Sequence, residues 1–172
     1  MPRAVLLRFA SLTSLWILAA CARPATSDVH SRAGLVVGHG DGSFTTTCVS
    51  FEGAEISGED LLNDSGVAVS LDATNPMGPL VCAIGDEGCD FPRQDCLCSC
   101  RSAGGCSYWA YFTWSGEDGW SYGALGAGQR RVGDGDMDAW IWLNRALPGD
   151  SLPTPPAEIT FETVCGQGGG QW

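Results

Sequence analysis

"SYWAYFTWSGEDGWSYGALG", Ser107 to Gly126, is the stretch from which the fold is read. Alternation puts Tyr108, Ala110, Phe112 and Trp114 on one side of an extended segment and Trp109, Tyr111 and Thr113 on the other. "SGEDG" offers the glycines that a reversal needs, and Trp120 to Tyr122 can return beside the first strand. Both faces of the longer strand carry aromatic rings, whereas a half-buried strand needs only one apolar face. The second face is therefore predicted to lie under another segment or to receive a ligand.

The flanking segments share this character. "VGDGDMDAWIWL", Val132 to Leu143, reads as a turn and a strand in which Trp140 and Trp142 share a face with Asp138. Upstream, "GLVVGHGDGSFTTTCVSFEG" reads as a hairpin, with Leu35 to Val37 as one strand, "GDGS" as the turn and Phe44 to Glu52 as the return. "ISGEDLLNDSG" is the clearest helix. Ser57 can cap it, Asp60 stands in the capping-box position, Leu61 and Leu62 face inward, and Gly66 can end it. "VAVSL" and "PLVCAIG" read as strands. After Asn144 the chain becomes Pro-rich, "ITFETVC" reads as a short strand, and "GQGGGQW" as a flexible end. With 24 glycines and seven tryptophans in 172 residues, the composition favours one β-rich domain.

The cysteines depend on the compartment, and the amino terminus speaks to that. Arg3 and Arg8 precede an uncharged run from Phe9 to Ala20, the pattern of a signal peptide and too short to span a bilayer. "LAAC", Leu18 to Cys21, resembles the bacterial lipobox, which implies cleavage before Cys21 and a lipid on its sulfur; cleavage nearby without lipidation is the alternative. Eight cysteines then remain of nine: Cys48, Cys82, Cys89, Cys96, Cys98, Cys100, Cys106 and Cys165. An even set in an exported chain reads as a disulfide framework. Neighbours in "CLCSC" lie at the far edge of bridging distance in an extended chain, so Cys96, Cys98 and Cys100 are expected to pair outward, with Cys82, Cys89, Cys106 and Cys165 as candidates. Metal binding or thiol chemistry at C-x-C-x-C is the lesser reading, because zinc ligands usually come as C-x2-C.

The formal charge is −11, and there is no lysine. Such a surface repels nucleic acid and anionic headgroups, so nucleic acid is excluded as a partner and the membrane is reached only through the lipid. Asp134, Asp136 and Asp138 imitate the start of a calcium loop, but Ala139 and Trp140 follow where glycine is required. His39, Ser43 and Asp41 could be drawn as a hydrolytic triad, yet they are neighbours in one turn without a nucleophile elbow. No catalytic residue, metal site or cofactor is assigned, and the chain reads as non-enzymatic.

"GDGSFTTTCVSF", "ISGEDLLNDSG", "CSYWAYFTWSGEDGWSYGALGAG" and "VGDGDMDAWIWL" occur in an order that resembles the bacterial domains similar to the C-terminal domain of transcobalamin and intrinsic factor. The likeness covers residues 34–143, and the Cys82–Cys106 insert resembles an exported, cysteine-rich subgroup. It implies an α+β fold: a β-grasp-like mixed sheet with one short helix, rich in disulfides. The division that follows is a signal peptide over 1–20, a polar tether over 21–33, the domain over 34–145, and a Pro/Gly-rich tail over 146–172 tied back by Cys165. In the vertebrate carriers this domain covers one side of cobalamin opposite a helical domain, and no helical-repeat segment is read here. The resemblance places a binding surface on Trp109, Tyr111, Trp114, Trp120 and Tyr122. The functional expectation is an extracytoplasmic lipoprotein, or alternatively a secreted protein, that binds a small molecule or an extracellular protein, a corrinoid being one candidate ligand. A structural or adhesive surface domain is the alternative, and a thiol-redox or metal module the third.

Overall fold

Two hairpins and one returning strand make the main sheet. The computed structural model describes residues 29–76, 78–100, 105–145 and 152–166. The signal peptide (1–20), Cys21 and the start of the tether lie outside the described residues, as do 146–151 and 167–172 of the tail. Strands β1 (His30–Gly38) and β2 (Phe44–Glu52) form the first hairpin. Next come β3 (Glu55–Ser57), α1 (Gly58–Asp64), β4 (Val69–Asp72), β5 (Leu80–Ile84) and β6 (Glu87–Gly88). The second hairpin is β7 (Cys106–Ser115) and β8 (Gly119–Tyr122). The chain closes with β9 (Arg131–Gly133), β10 (Met137–Arg145) and α2 (Phe161–Cys165).

The main sheet runs β2-β1-β10-β7-β8. Its first and last strands, β1 and β10, lie side by side and parallel at the centre, and every other pairing is antiparallel. With α1 following the first hairpin, this is the β-grasp arrangement, and the fold is α+β and disulfide-rich. A central parallel pair must be covered on both faces, which explains why β1 is buried at every position from Ala33 to Gly38.

One face carries Leu35, Val37, Val49, Phe51, Trp109, Tyr111 and Trp140 against Leu61 and Leu62 of α1. Both leucines are fully buried, and each stabilises by about 1.5–3 kcal/mol. Helix α1 starts as its residues dictate. The Ser57 hydroxyl accepts from the Asp60 amide, and the Asp60 carboxylate accepts from the Ser57 amide. Gly66 follows with φ +81°, a conformation that stops a helix at little cost only for glycine. The small β4-β5-β6 sheet extends this core through Leu71, Val81 and Ile84.

The opposite face carries Val36, Ala110, Phe112, Met137, Ala139, Ile141 and Leu143. The tail covers it with Leu152, Ile159, Phe161 and Val164. The tail was expected to be a short strand, and it is a second helix instead. Thr160 and Thr163 cap each other reciprocally at its start, which settles the local choice in favour of a helical turn despite the β-branched residues around them. The tether is also shorter than read. His30 already pairs with Glu52, the Ser31 hydroxyl donates to Gly53 O at 2.7 Å, and Arg32 Nη1 donates to Cys165 O at 2.9 Å, so β1 begins inside the stretch taken as linker.

All eight cysteines of the framework are paired: Cys48–Cys165, Cys82–Cys96, Cys89–Cys98 and Cys100–Cys106. The cysteines of "CLCSC" thus pair outward to three different partners. Cys48–Cys165 is the tie-back of the tail, spanning 117 residues.

Candidate functional site

The aromatic hairpin does not build one platform. Strand alternation divides it between the two faces, and the five residues proposed from sequence fall into two groups. Trp109 (4% exposed) and Tyr111 (7%) belong to the core beneath α1. There the Trp109 indole N–H donates to Glu87 O at 3.3 Å, and Tyr111 packs on Trp140 with ring centroids 4.9 Å apart. These two are corrected from binding residues to core residues, because the helix and the cysteine-rich insert close over their side of the sheet. Trp114, Trp120 and Tyr122 point the other way. Trp114 and Trp120 stand opposite each other across the hairpin, 5.3 Å between centroids, and Tyr122 on edge strand β8 is 50% exposed. Leu125, just beyond, is 58% exposed.

Beside Trp114 the surface sinks into a cleft of about 730 Å³, lined among others by Arg130, Asp136, Thr160, Phe161 and Glu162. Strand β7 brings Trp114, the β9–β10 turn brings Asp136, and α2 brings Phe161 and Glu162. Arg130 is not free to hold an anion. Its Nη2 lies 3.1 Å from Asp136 Oδ2, and its Nε lies 3.6 Å from Asp138 Oδ1. The Arg32 guanidinium sits 5.9 Å from the centre of the ring of Phe161, which lines the cleft.

Behind Arg130 is a buried polar pair. The Tyr111 hydroxyl donates a short hydrogen bond to Asp138 Oδ2, and Asp138 is fully buried. Burial raises the Asp138 carboxyl from its ordinary 3.8 to about 6, while the Tyr111 hydrogen bond and the Arg130 charge pull in the opposite direction. Burial, and then the charge of Asp138, push the Tyr111 phenol far above its usual range, so it remains a donor. Residue 58 must be glycine here, since a Cβ would strike the Tyr111 hydroxyl and lie 2.7 Å from Asp138 Oδ2. The first residue of α1 is thereby seated directly on this pair.

The three aspartates of the sequence pattern diverge. Asp134 Oδ1 accepts the Arg32 amide at 2.7 Å, Asp136 Oδ2 accepts the Gly133 amide at 2.9 Å, and Asp138 turns inward. No group of three His, Cys, Asp or Glu side chains among the described residues is placed to hold a metal ion. His39 meets neither Ser43 nor Asp41 as a triad. Its Nε2 lies 3.0 Å from Thr45 Oγ1 and its Nδ1 lies 3.4 Å from Glu87 Oε2, while the Gly40 amide donates to the same carboxylate at 3.0 Å. With both Glu87 oxygens accepting that amide, the arrangement clamps the insert to the tip of the first hairpin.

No protein-family model matches the chain, and no curated protein matches it. Among solved structures, it is similar to a "putative metal binding protein" from Ruminococcus gnavus, with 16% identity and a TM-score of 0.45 over 67% of this chain and 98% of that one.

Three members of the cleft were not legible as site residues. Arg130 sits in "QRR" beyond the glycine-rich "GALGAG", and Phe161 and Glu162 lie in the tail. Only long-range pairing brings them to Trp114. Asp138 left a signal: a charged residue sharing a strand face with two tryptophans must find a buried partner.

Proposed function

We propose that this chain is an exported, non-catalytic binding module of the transcobalamin-like kind, which takes a small molecule at the aromatic end of its second sheet face, on Trp114, Trp120 and Tyr122. The observation that carries it is selective exposure. The fold buries Trp109, Tyr111 and Trp140, yet leaves Tyr122 half exposed and the Trp114–Trp120 pair only partly covered, beside an open cleft. Three adjacent rings left at one edge suit a flat or apolar ligand. The strand order supports the family reading, and the four cysteine pairs support an oxidising compartment. The lipid anchor on Cys21 rests on "LAAC" alone.

Hydroxocobalamin is the first ligand to try. Saturable shifts of the Trp114 and Trp120 indole resonances, with those of Trp109 and Trp140 unmoved, are expected. Unchanged indole resonances at millimolar hydroxocobalamin would remove the corrinoid from the proposal. The second reading is a structural or adhesive surface domain without a small ligand. It draws on the burial of Trp109 and Tyr111, which makes part of the aromatic content core rather than surface.

A further inference from the structure

The cleft beside Trp114 has a charge its arginine conceals, and from this we infer that it receives an organic cation: an ammonium or guanidinium group carried on an apolar body. The inference rests on the binding reading above and specifies its ligand. Two guanidinium groups, Arg130 and Arg32, stand at or beside the cleft against four carboxylates, Asp134, Asp136, Asp138 and Glu162. Arg130 is held between Asp136 and Asp138, so its positive charge is already answered inside the wall. Arg32 is engaged differently: its Nη1 donates to the Cys165 carbonyl and its guanidinium lies against the Phe161 ring, while Asp134 accepts its backbone amide. Glu162 is exposed on α2 and lines the cleft with no ion pair among the described residues. An incoming anion would meet this surplus of carboxylate, and an incoming cation would relieve it.

The aromatic walls select the same sign. Trp114 and Phe161 both line the cleft, and the negative face of an aromatic ring attracts a cation within about 6 Å. Phe161 already holds one guanidinium in that manner, 5.9 Å from its centroid. The volume of about 730 Å³ admits a ligand of the usual small-molecule size. The sites of chemistry on this wall are recognition groups only, and no bond is made or broken.

The test uses the purified, oxidised protein and two probes of one shape and opposite charge, benzyltrimethylammonium and benzenesulfonate. The ammonium is expected to shift the Trp114 indole resonance saturably at millimolar concentration. The sulfonate is expected to bind about tenfold more weakly or worse. Glu162→Gln is expected to weaken the ammonium about threefold or more while leaving the backbone spectrum of the core in place. Equal or tighter binding of the sulfonate, an unchanged affinity in Glu162→Gln, or no shift at Trp114 overturns the inference. Hydroxocobalamin separates this failure from that of the wider reading. If it moves Trp114 and Trp120 while the ammonium does not, the cationic ligand is lost and the binding face stands. If neither probe nor corrinoid moves them, both are lost.

Discussion

Asp138 is a carboxylate on the buried face of a central strand, and its surroundings define a testable energetic signature. The group ionises less readily folded than unfolded, because burial raises it from 3.8 to about 6. The folded state therefore holds this proton more tightly. The resulting stabilisation is complete below about pH 3.8 and is lost as pH rises through about 6. The shift corresponds to about 3 kcal/mol. In Asp138→Asn this dependence disappears. Urea unfolding at pH 4 and pH 7 should show the stability of the parent falling relative to the variant by up to that amount, and a parallel pH profile in the two proteins contradicts the assignment. The pair also bears on what was legible. The alternation of "DAWIWL" placed Asp138 with Trp140 and Trp142, as the structure has it. Its partners Tyr111 and Arg130 come from β7 and the approach to β9, and no local pattern names them.

Among the elements, the two helices show where local rules suffice and where they do not. Helix α1 was readable because Ser57 and Asp60 form the expected cap and two leucines follow at the buried positions. Helix α2 was read as a strand because Ile159, Thr160, Thr163 and Val164 are β-branched, and a Thr-x-x-Thr cap lacks the usual acidic or amide partner. Thr160→Ala should remove that cap at a cost of about 1 kcal/mol. Amide exchange at Val164 and Cys165 should speed up while exchange at Trp140 is unchanged, and equal protection of α2 in the variant contradicts the capping role. The same limit governs β7. Its two apolar faces were visible in the alternation, but which one stays open depends on a tail some forty residues downstream that lies across the other strands. Hence Trp109 and Tyr111 were assigned to the surface although α1 and the insert cover them.

At the scale of the whole molecule, the Cys48–Cys165 bridge joins the first hairpin to the tail and closes the longest loop, a separation of 117 residues. Cys48→Ala with Cys165→Ala should lower the unfolding free energy by about 2–5 kcal/mol. It should also release α2 from the second face and remove Phe161 from the cleft, so ammonium binding falls with stability. An unchanged denaturation midpoint contradicts this. The main sheet carries a further implication. Its inner pair joins β1, complete at Gly38, to β10, which starts at Met137. A chain delivered from its amino end must therefore wait on the order of ten seconds, at ordinary synthesis rates, before the strand that belongs beside β1 exists. During that interval an apolar edge from Leu35 to Val37 stands bare, a template for any passing strand. A holding chaperone, or threading of the still-unfolded chain through a pore, would guard that edge until the partner strand is made.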